Sequence, residues 1–338
     1  MDIDLVRQSG ALGCIQFAVA TALRPRARSF YAVFFSLAVV CAGCAPFAQT
    51  PIDPRSQQPL SAVPPAQPRH FEHVLIIVLE NQDYDAVIKD PYFATLAQKG
   101  ASFTDFHGLF HPSYSNYLAM VAGREIPSFL DIQRDLPYET LTIADLLESA
   151  KLTWKNYAEG YPRDPTQNPQ ACFTESSYKR YVRRHVPFLS FVRVQLRECY
   201  NIVPAELQFD KDLKAFPNYA FYTPDLDNDG HDPQSSPTEG LAKAAAFLKQ
   251  FLDLLLDGHR LPKDTLIVVT FDESHDQTYK YKNHIYTVFL GDMVQPTADG
   301  YGGNYNHYNV LRTIEENFGL VPLADGDGKA KPITEVWK

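Results

Sequence analysis

Residues 73–81 read His-Val-Leu-Ile-Ile-Val-Leu-Glu-Asn, and they carry the clearest structural signal in the chain. Residues 74–79 form an unbroken apolar run rich in β-branched side chains, which is typical of a strand covered on both faces. A second run of this kind, Thr-Leu-Ile-Val-Val-Thr-Phe, occupies residues 265–271. Further strands are predicted at 102–106, 219–223 and 286–290, and helices at 91–99, 116–121, 143–150, 241–256 and 310–318. Strands that alternate with helices predict the α/β class, as a three-layer sandwich with a mostly parallel central sheet.

Polar side chains follow both long apolar strands at their carboxyl ends. Glu80 and Asn81 follow the first strand, and Asp272 and Glu273 follow the second. Because ligands gather at the carboxyl ends of the strands in a parallel sheet, both pairs are expected at the same edge. Each pair alone could simply end a strand at the surface. Together, their hard oxygen atoms favour one or two divalent cations, Mg, Ca, Mn or Zn, which would neutralise their mutual repulsion.

The segment His-Pro-Ser-Tyr-Ser-Asn at residues 111–116 is a turn that runs into a predicted helix. The N-terminus of that helix would face the same edge of the sheet, where free backbone N–H groups favour an anion such as phosphate. Ser113, if bound to a cation at that point, could lose its proton and attack phosphorus. The alternative is that Ser113 or Ser115 only caps the helix.

An acidic loop, residues 225–232, follows the predicted strand at 219–223. Its spacing matches the start of an EF-hand, but the twelfth position holds Ser236 instead of Glu, and a strand-like segment precedes the loop. The EF-hand is therefore rejected. Asp227 and His231 remain as a pair that could hold a second cation or a phosphate oxygen. His307, just before the last predicted helix, is on its own more typical of a cap or a packed residue.

The composition indicates a folded protein that does not bind nucleic acid. The chain has 338 residues, a hydrophobic fraction of 45% and a formal net charge of −9. These values suit a chain with a substantial core. The negative charge argues against nucleic acid as a partner, because phosphate backbones are bound mainly by Lys and Arg. It does not exclude a phosphate ester substrate, since a bound cation reverses the local sign of the charge.

The N-terminal region has the layout of an export signal. A basic cluster at residues 24–28 precedes an apolar stretch at residues 29–46 that is short for a membrane span. The end of this stretch, residues 40–44, resembles a bacterial lipoprotein box with Cys44 as the acylated residue. The alternatives to this lipid anchor are cleavage near residues 45–48 or an uncleaved anchor. We therefore expect an exported protein, either periplasmic, an outer-membrane lipoprotein or secreted, with a signal segment at 1–44, a Pro-rich linker at 45–70 and the folded domain at 71–338.

Residues 161–204 are predicted to form an insertion or lid beside the sheet. They contain Cys172 and Cys199, whose spacing matches no zinc finger, and an export signal makes a disulfide between them plausible. The segment also holds a basic cluster that either attracts anionic substrates or forms a solvated helical face. The cluster consists of Lys179, Arg180, Arg183 and Arg184.

Four segments, in this order, resemble the phosphoesterase family of bacterial and fungal acid phosphatases and phospholipases C, which is related to the alkaline phosphatase superfamily. These segments are residues 73–81, 111–123, 223–232 and 267–274, and the resemblance extends over residues 73–320. It implies an alkaline phosphatase-like fold. It also implies a metal site with the ligands Glu80, Asn81, Asp272 and Glu273.

The resemblance further implies roles for the serine turn and the acidic loop. Ser113 matches the family's nucleophile, and Asn116 matches an asparagine that contacts the phosphate. Ser115 stands where the family usually has proline, so it replaces a structural residue. Asp227, His231 and His307 match either the ligands of a second metal or residues that contact phosphate. His231 could instead protonate the leaving alcohol.

The function implied is that of an exported, metal-dependent phosphomonoesterase of the acid phosphatase type, which forms a phosphoserine intermediate on Ser113. A phospholipase C or another phosphodiesterase is the alternative within the same chemistry. A further alternative is an inactive, cation-stabilised surface protein that binds a phosphorylated ligand. The presence of Ser113 favours the enzyme over this last alternative.

Overall fold

A computed structural model of the chain describes residues 68–128, 131–163, 171–231, 237–276 and 282–338. The chain divides into the units Met1–Ser56 and Gln57–Lys338, and every described residue lies in the second unit. The predicted signal segment, Cys44 and almost all of the predicted linker therefore lie outside the described residues. Within the described residues, no helix is both long enough and apolar enough to cross a membrane.

Strands and helices alternate along most of this region. The strands are β1 His73–Leu79, β2 Ala101–Phe103, β3 Phe106–His107, β4 Trp154–Ala158, β5 Ser177–Tyr178, β6 Tyr181–Val182, β7 Ile202–Pro204, β8 Tyr219–Thr223, β9 Thr265–Phe271, β10 Thr287–Leu290 and β11 Tyr305–Asn306. The α-helices are α1 Tyr84–Val87, α2 Pro91–Lys99, α3 Ser113–Ala122, α4 Ile143–Ser149, α5 Val192–Arg197, α6 Ala205–Asp212, α7 Pro237–Leu256, α8 His307–Phe318 and α9 Asp325–Lys329. Short 3₁₀ turns occupy Arg183–His185, Pro187–Ser190, Cys199–Asn201 and Leu213–Ala215.

The central sheet of the described residues has seven strands in the order β2–β10–β9–β1–β8–β4–β7. The strand β1 lies in the middle and runs parallel to both of its neighbours, β8 and β9. The strands β4 and β7 continue the parallel arrangement, whereas β10 is antiparallel to β9 and to β2. The predicted α/β class with a mostly parallel central sheet is confirmed.

Helices cover both faces of this sheet, and two neighbouring residues of β8 illustrate the division. Phe221 points to one face, where it meets Tyr117 of α3. Tyr222 points to the other face, where it meets Phe251 of α7 and Phe209 of α6. Because successive side chains of a strand point to opposite faces, the all-apolar sequence of the long strands follows from this double cover.

Two strands of the sheet were not predicted from the sequence. In β4, Lys155 and Asn156 interrupt the apolar pattern, but both are paired: Lys155 Nζ lies 2.6 Å from Asp212 Oδ2, and the Asn156 amide donates to the Phe221 carbonyl over 3.2 Å. The strand β7 lies at the sheet edge, inside the segment predicted to be an insertion or lid. That segment therefore contributes a strand to the central sheet, and it also holds a disulfide between Cys172 and Cys199.

Candidate active site

The carboxyl ends of β1 and β9 lie side by side, and each is followed by two buried polar residues. The two strands pair along their whole length, up to Leu79 opposite Phe271. The next residues, Glu80 and Asp272, are therefore neighbours, and the Asp272 N–H donates to the Leu79 carbonyl over 2.9 Å. Glu80, Asn81, Asp272 and Glu273 are all buried.

Ser113 is the first residue of α3, and its hydroxyl lies among these side chains. Its Oγ is 3.1 Å from Glu80 Oε2, 3.2 Å from Asn81 Oδ1 and 3.4 Å from Glu273 Oε1, and it also interacts with the Asp272 carboxylate. The extended backbone of Pro112 sets the start of α3, and Gly123 ends the helix in the left-handed region at φ +63°. The structure thus brings together the five side chains that the sequence placed in one metal site.

The pKa values of two carboxyl groups of this site, Glu80 and Asp272, are strongly raised. Burial raises the pKa of Glu80 well above its usual value, and repulsion by Asp229 raises it further, while a hydrogen bond from Tyr117 acts in the opposite direction. Burial also raises the pKa of Asp272 well above its usual value, and the charges of Glu80 and Glu273 add to the effect. Buried carboxylates at such short range must therefore take up protons or share a cation.

The donor atoms of the site suit a hard divalent cation. Glu80, Asp272 and Glu273 offer carboxylate oxygens, and Asn81 and Ser113 offer neutral oxygens, which is the ligand chemistry of Mg²⁺, Ca²⁺ or Mn²⁺ and is also compatible with Zn²⁺. Both oxygens of Asp272 and Oε1 of Glu80 are buried without a hydrogen bond of good geometry. No three His, Cys, Asp or Glu side chains of the described residues already form a metal-binding group.

A histidine that the sequence analysis did not assign lies within the carboxylate cluster. His185 is fully buried, with Nε2 at 3.1 Å from Glu80 Oε1 and Nδ1 at 3.8 Å from Asp229 Oδ2. Its ring stacks on Tyr117 of α3, with ring centroids 5.2 Å apart. Burial lowers the pKa of His185 well below its usual value, and the nearby charges of Arg184 and His231 lower it further. Its local sequence is basic and gave no sign of this burial.

The serine turn supplies a second unassigned histidine. His111 Nδ1 lies 2.9 Å from Glu273 Oε2. The other oxygen of the same carboxylate accepts the amide of Asn81 over 2.6 Å. Glu273 is therefore held from both sides, and its position depends on the turn that also carries Ser113. The order His-Pro-Ser was the available signal for His111, but it did not indicate which way the ring would point.

The acidic loop contributes Asp229 to the site instead of the predicted Asp227. The side chain of Asp227 is 59% exposed and pairs with Arg180 Nε at 3.0 Å. Asp229 is buried, and its carbonyl accepts the Glu80 N–H over 2.8 Å. The reason is the turn itself: the N–H of Asp229 donates to the Asp225 carbonyl, which leaves Asp227 at the tip of the loop. Asp227 therefore lies outside the carboxylate cluster, and its role toward phosphate or a second cation stays a prediction.

The two remaining histidines of the prediction lie in different surroundings. His231 is exposed, and its N–H donates to Asp229 Oδ1 over 3.0 Å. His307 is buried, its Nε2 is 2.8 Å from the Asp272 carbonyl, and burial lowers its pKa to about 4. Together with Asp227, these histidines do not form a metal-binding group among the described residues. His307 instead supports the backbone of Asp272.

The predicted phosphate contact Asn116 is occupied by the protein itself. Its Oδ1 accepts the N–H groups of Leu109 and Phe110, each over 2.9 Å. Its amide group donates to the Phe110 carbonyl and to Glu273 Oε2. Asn116 therefore contacts both the serine turn and Glu273, and its role as a phosphate contact stays a prediction.

Comparison with known proteins adds relatives that share most of the described sequence. A probable acid phosphatase of Kluyveromyces lactis is 34% identical over 269 residues, which cover 78% of this chain and 62% of that protein. A phosphatidylinositol-3-phosphatase of Mycobacterium tuberculosis is 31% identical over 275 residues, which cover 79% of this chain and 83% of that protein. The chain thus spans less than two thirds of the length of the Kluyveromyces relative.

Solved structures and a family model agree with these relatives. A protein of the alkaline phosphatase superfamily from Vibrio parahaemolyticus has the same fold, with a TM-score of 0.54 at 14% identity, over 84% of this chain and 75% of that one. The sequence model of the Phosphoesterase family matches residues 89–321, which is more than half of the chain. The chain therefore belongs to the Phosphoesterase family.

Proposed function

We propose that this chain is a metal-dependent phosphomonoesterase of the acid phosphatase type, with Ser113 as its nucleophile. The observation that carries the proposal is the position of one hydroxyl. Ser113 Oγ lies within 3.4 Å of oxygens from Glu80, Asn81 and Glu273, at the N-terminus of a helix and at the carboxyl edge of a parallel sheet. A serine that only capped its helix would not need four buried acidic or amide side chains around it.

Five side chains would hold the cation in this proposal. They are Glu80, Asn81, Ser113, Asp272 and Glu273, and the ion would be Mg, Ca, Mn or Zn. A divalent cation bound there supplies positive charge that lowers the pKa of the serine hydroxyl and stabilises negative charge on the transferring phosphoryl group. His185, His111 and Asn116 would keep the ligands in place, since each contacts a carboxylate of the set.

The steps assigned to the protein's own groups follow from this geometry. Ser113 Oγ attacks phosphorus, the bond from phosphorus to the alcohol oxygen breaks, and a phosphoserine forms. His231, exposed at the end of the acidic loop, is the group that we assign to protonate the leaving alcohol. Water then attacks the phosphoserine and releases phosphate and the free serine.

The relatives support a phosphomonoesterase over a phospholipase C. The Kluyveromyces protein is named a probable acid phosphatase, and the Mycobacterium protein a phosphatidylinositol-3-phosphatase. Both names describe hydrolysis of a phosphate monoester. A phosphodiesterase would need space for the second alkoxy group that a diester carries on its phosphorus. Assays with a panel of monoesters and diesters separate the two activities.

The test of the proposal compares two serines of the same helix. Ser113→Ala is expected to lower the release of phosphate from p-nitrophenyl phosphate by about a thousandfold or more, with unchanged thermal stability and metal content near that of the wild type. The matched control is Ser115→Ala, two residues further along α3. It removes a buried hydroxyl that accepts a hydrogen bond from the N–H of Ser128. Full turnover in the Ser113 variant would remove this residue from the mechanism.

We further propose that the protein is exported and that Cys44 carries a lipid. The disulfide between Cys172 and Cys199 supports an oxidising compartment, where such bonds persist. Metabolic labelling with a radioactive fatty acid tests the anchor, because Cys44→Ala should abolish the label and move the protein into the soluble fraction. An unlabelled wild-type protein that fractionates with the cytosol would contradict both parts.

A further inference from the structure

Arg184 forms an ion pair at the border of the candidate active site. Its Nε lies 2.8 Å from Asp131 Oδ2. The side chains are partly buried, with 32% of Arg184 and 29% of Asp131 exposed. Because the contact uses Nε, the two terminal amino groups of the guanidinium are not needed for the ion pair. A guanidinium presents its donors in a fixed planar fork, so anchoring one edge orients the other.

The ion pair is connected to the nucleophile from the side of Asp131. The second oxygen of this carboxylate, Oδ1, accepts the N–H of Tyr114 over 3.0 Å. Tyr114 is the residue directly after Ser113 in α3. Asp131 therefore accepts one of the N–H groups at the helix N-terminus that were predicted to bind phosphate. Through its ion pair it also brings the positively charged Arg184 close to that N-terminus.

The ion pair is also connected to the carboxylate cluster from the side of Arg184. The next residue in the chain is His185, whose ring contacts Glu80 Oε1 at 3.1 Å. The other oxygen of the Glu80 carboxylate lies 3.1 Å from Ser113 Oγ. Arg184 is thus linked to the residue after Ser113 through Asp131, and to the carboxylate cluster through its chain neighbour His185.

We propose that Arg184, oriented by Asp131, binds the second negatively charged oxygen of a phosphate monoester and so sets a preference for monoesters over diesters. This inference rests on the proposed phosphoesterase function and names the substrate class of the same site. A monoester dianion offers two or three charged oxygens, and the guanidinium fork can take two of them at once. In a diester one of the three oxygens carries an alkyl group, so only two acceptor oxygens remain and they share a single negative charge, which weakens their contact with the guanidinium.

The test compares two esters that share a leaving group. Arg184→Gln is expected to lower kcat/KM for p-nitrophenyl phosphate by about 10- to 100-fold, the effect of one charge-assisted contact, and to change kcat/KM for bis(p-nitrophenyl) phosphate by less than about threefold. Arg184→Lys, which keeps the charge but loses the fork, should fall between wild type and Arg184→Gln. The matched control is Arg180→Gln, because Arg180 pairs through Nε with an aspartate at the tip of the exposed loop. Equal losses for both esters would mean that Arg184 only maintains the structure.

A binding measurement keeps the inference separate from the proposed function. Calorimetry should show that the wild type binds inorganic phosphate more tightly than dimethyl phosphate. In Arg184→Gln the ratio of the two dissociation constants should fall by about 10- to 100-fold. If the wild type hydrolyses neither ester, the proposed function is wrong, and these binding data still decide the role of Arg184. Binding of the two ions with equal affinity by the wild type would overturn the inference, whatever the turnover.

Discussion

Replacing Glu315 by Gln should stabilise this protein at neutral pH, because the native carboxyl group has to carry a proton. Glu315 of α8 is fully buried beside Asp327 of α9. The Asp327 carboxylate accepts the N–H groups of Leu323 and Ala324, at 2.6 and 2.9 Å, so its charge is satisfied by the backbone. Burial, with the neighbouring Asp327, raises the pKa of Glu315 from 4.5 to about 10.

The sign of the pH dependence follows from that shift. Between these two pKa values the folded state binds a proton that the unfolded chain has lost, so stability falls as the pH rises. Each pH unit in this range costs about 1.4 kcal/mol, which gives a loss of about 2.5 kcal/mol between pH 5 and pH 7 from this group alone. The Glu315→Gln variant is neutral at every pH and keeps a donor for Asp327, so it avoids this loss.

Urea unfolding at several pH values measures the effect directly. The stability of Glu315→Gln minus that of wild type should grow by about 2.5 kcal/mol from pH 5 to pH 7. The control is Glu316→Gln on the same helix, whose carboxylate is 45% exposed and lies 3.6 Å from Arg312 Nη2. If the unfolding free energies of wild type and Glu315→Gln differ by the same amount at pH 5 and at pH 7, the reasoning is refuted.

Three further predictions concern the site and its supports. Asp229→Ala should reduce phosphatase turnover by about 100-fold or more, because it removes a buried partner of the carboxylate cluster. Asp227→Ala, at the exposed tip of the loop, should change turnover by less than about threefold. Equal effects of the two substitutions would refute the assignment of Asp229 to the site. Chelation of the metal should lower the melting temperature, and more at pH 8 than at pH 5, because burial and mutual repulsion raise the pKa values of Glu80 and Asp272 and folding without a cation then requires bound protons. Replacing Cys199 by Ser should cost about 3.5 kcal/mol of unfolding free energy, from the loop of 27 residues that the disulfide closes, and a reducing agent should then leave the variant's urea midpoint unchanged.

The sequence contained enough information for the sheet centre and for the serine. The strands β1 and β9 contain continuous apolar runs at residues 74–79 and 266–269, and the rule that ligands gather at strand carboxyl ends requires no knowledge of side-chain contacts. Glu80 and Asp272 follow these strands directly, so their closeness depends only on register. Ser113 could be placed with them because a helix N-terminus after a strand lies at the same edge.

The sequence did not contain enough information for His185, Asp229 and the role of Asn116. His185 reaches the site through a segment of 3₁₀ turns and short strands, which has no periodic pattern to extrapolate. Asp229 and Asp227 are equivalent by spacing, and only the closure of the turn on Asp225 decides which one is buried. Asn116 lies near Ser113, as expected for a phosphate contact, but its side-chain oxygen accepts hydrogen bonds from the N–H groups of Leu109 and Phe110, which the sequence did not indicate.

The charge balance of the site links cation binding to substrate binding. Three buried carboxyl groups, Glu80, Asp272 and Glu273, lie around the hydroxyl, Asp229 lies behind them next to His185, and Arg184 brings one positive charge to their border. When these carboxyl groups are ionised, a phosphate dianion would enter a strongly negative site, which repulsion at this range forbids. A divalent cation held by Glu80, Asn81, Asp272 and Glu273, as proposed, would remove part of that repulsion. Because coupling between two ligands is reciprocal, phosphate should then tighten the binding of the cation by the same factor as the cation tightens the binding of phosphate. The acidic character of the site is therefore no argument against an anionic substrate, provided that the proposed cation is bound.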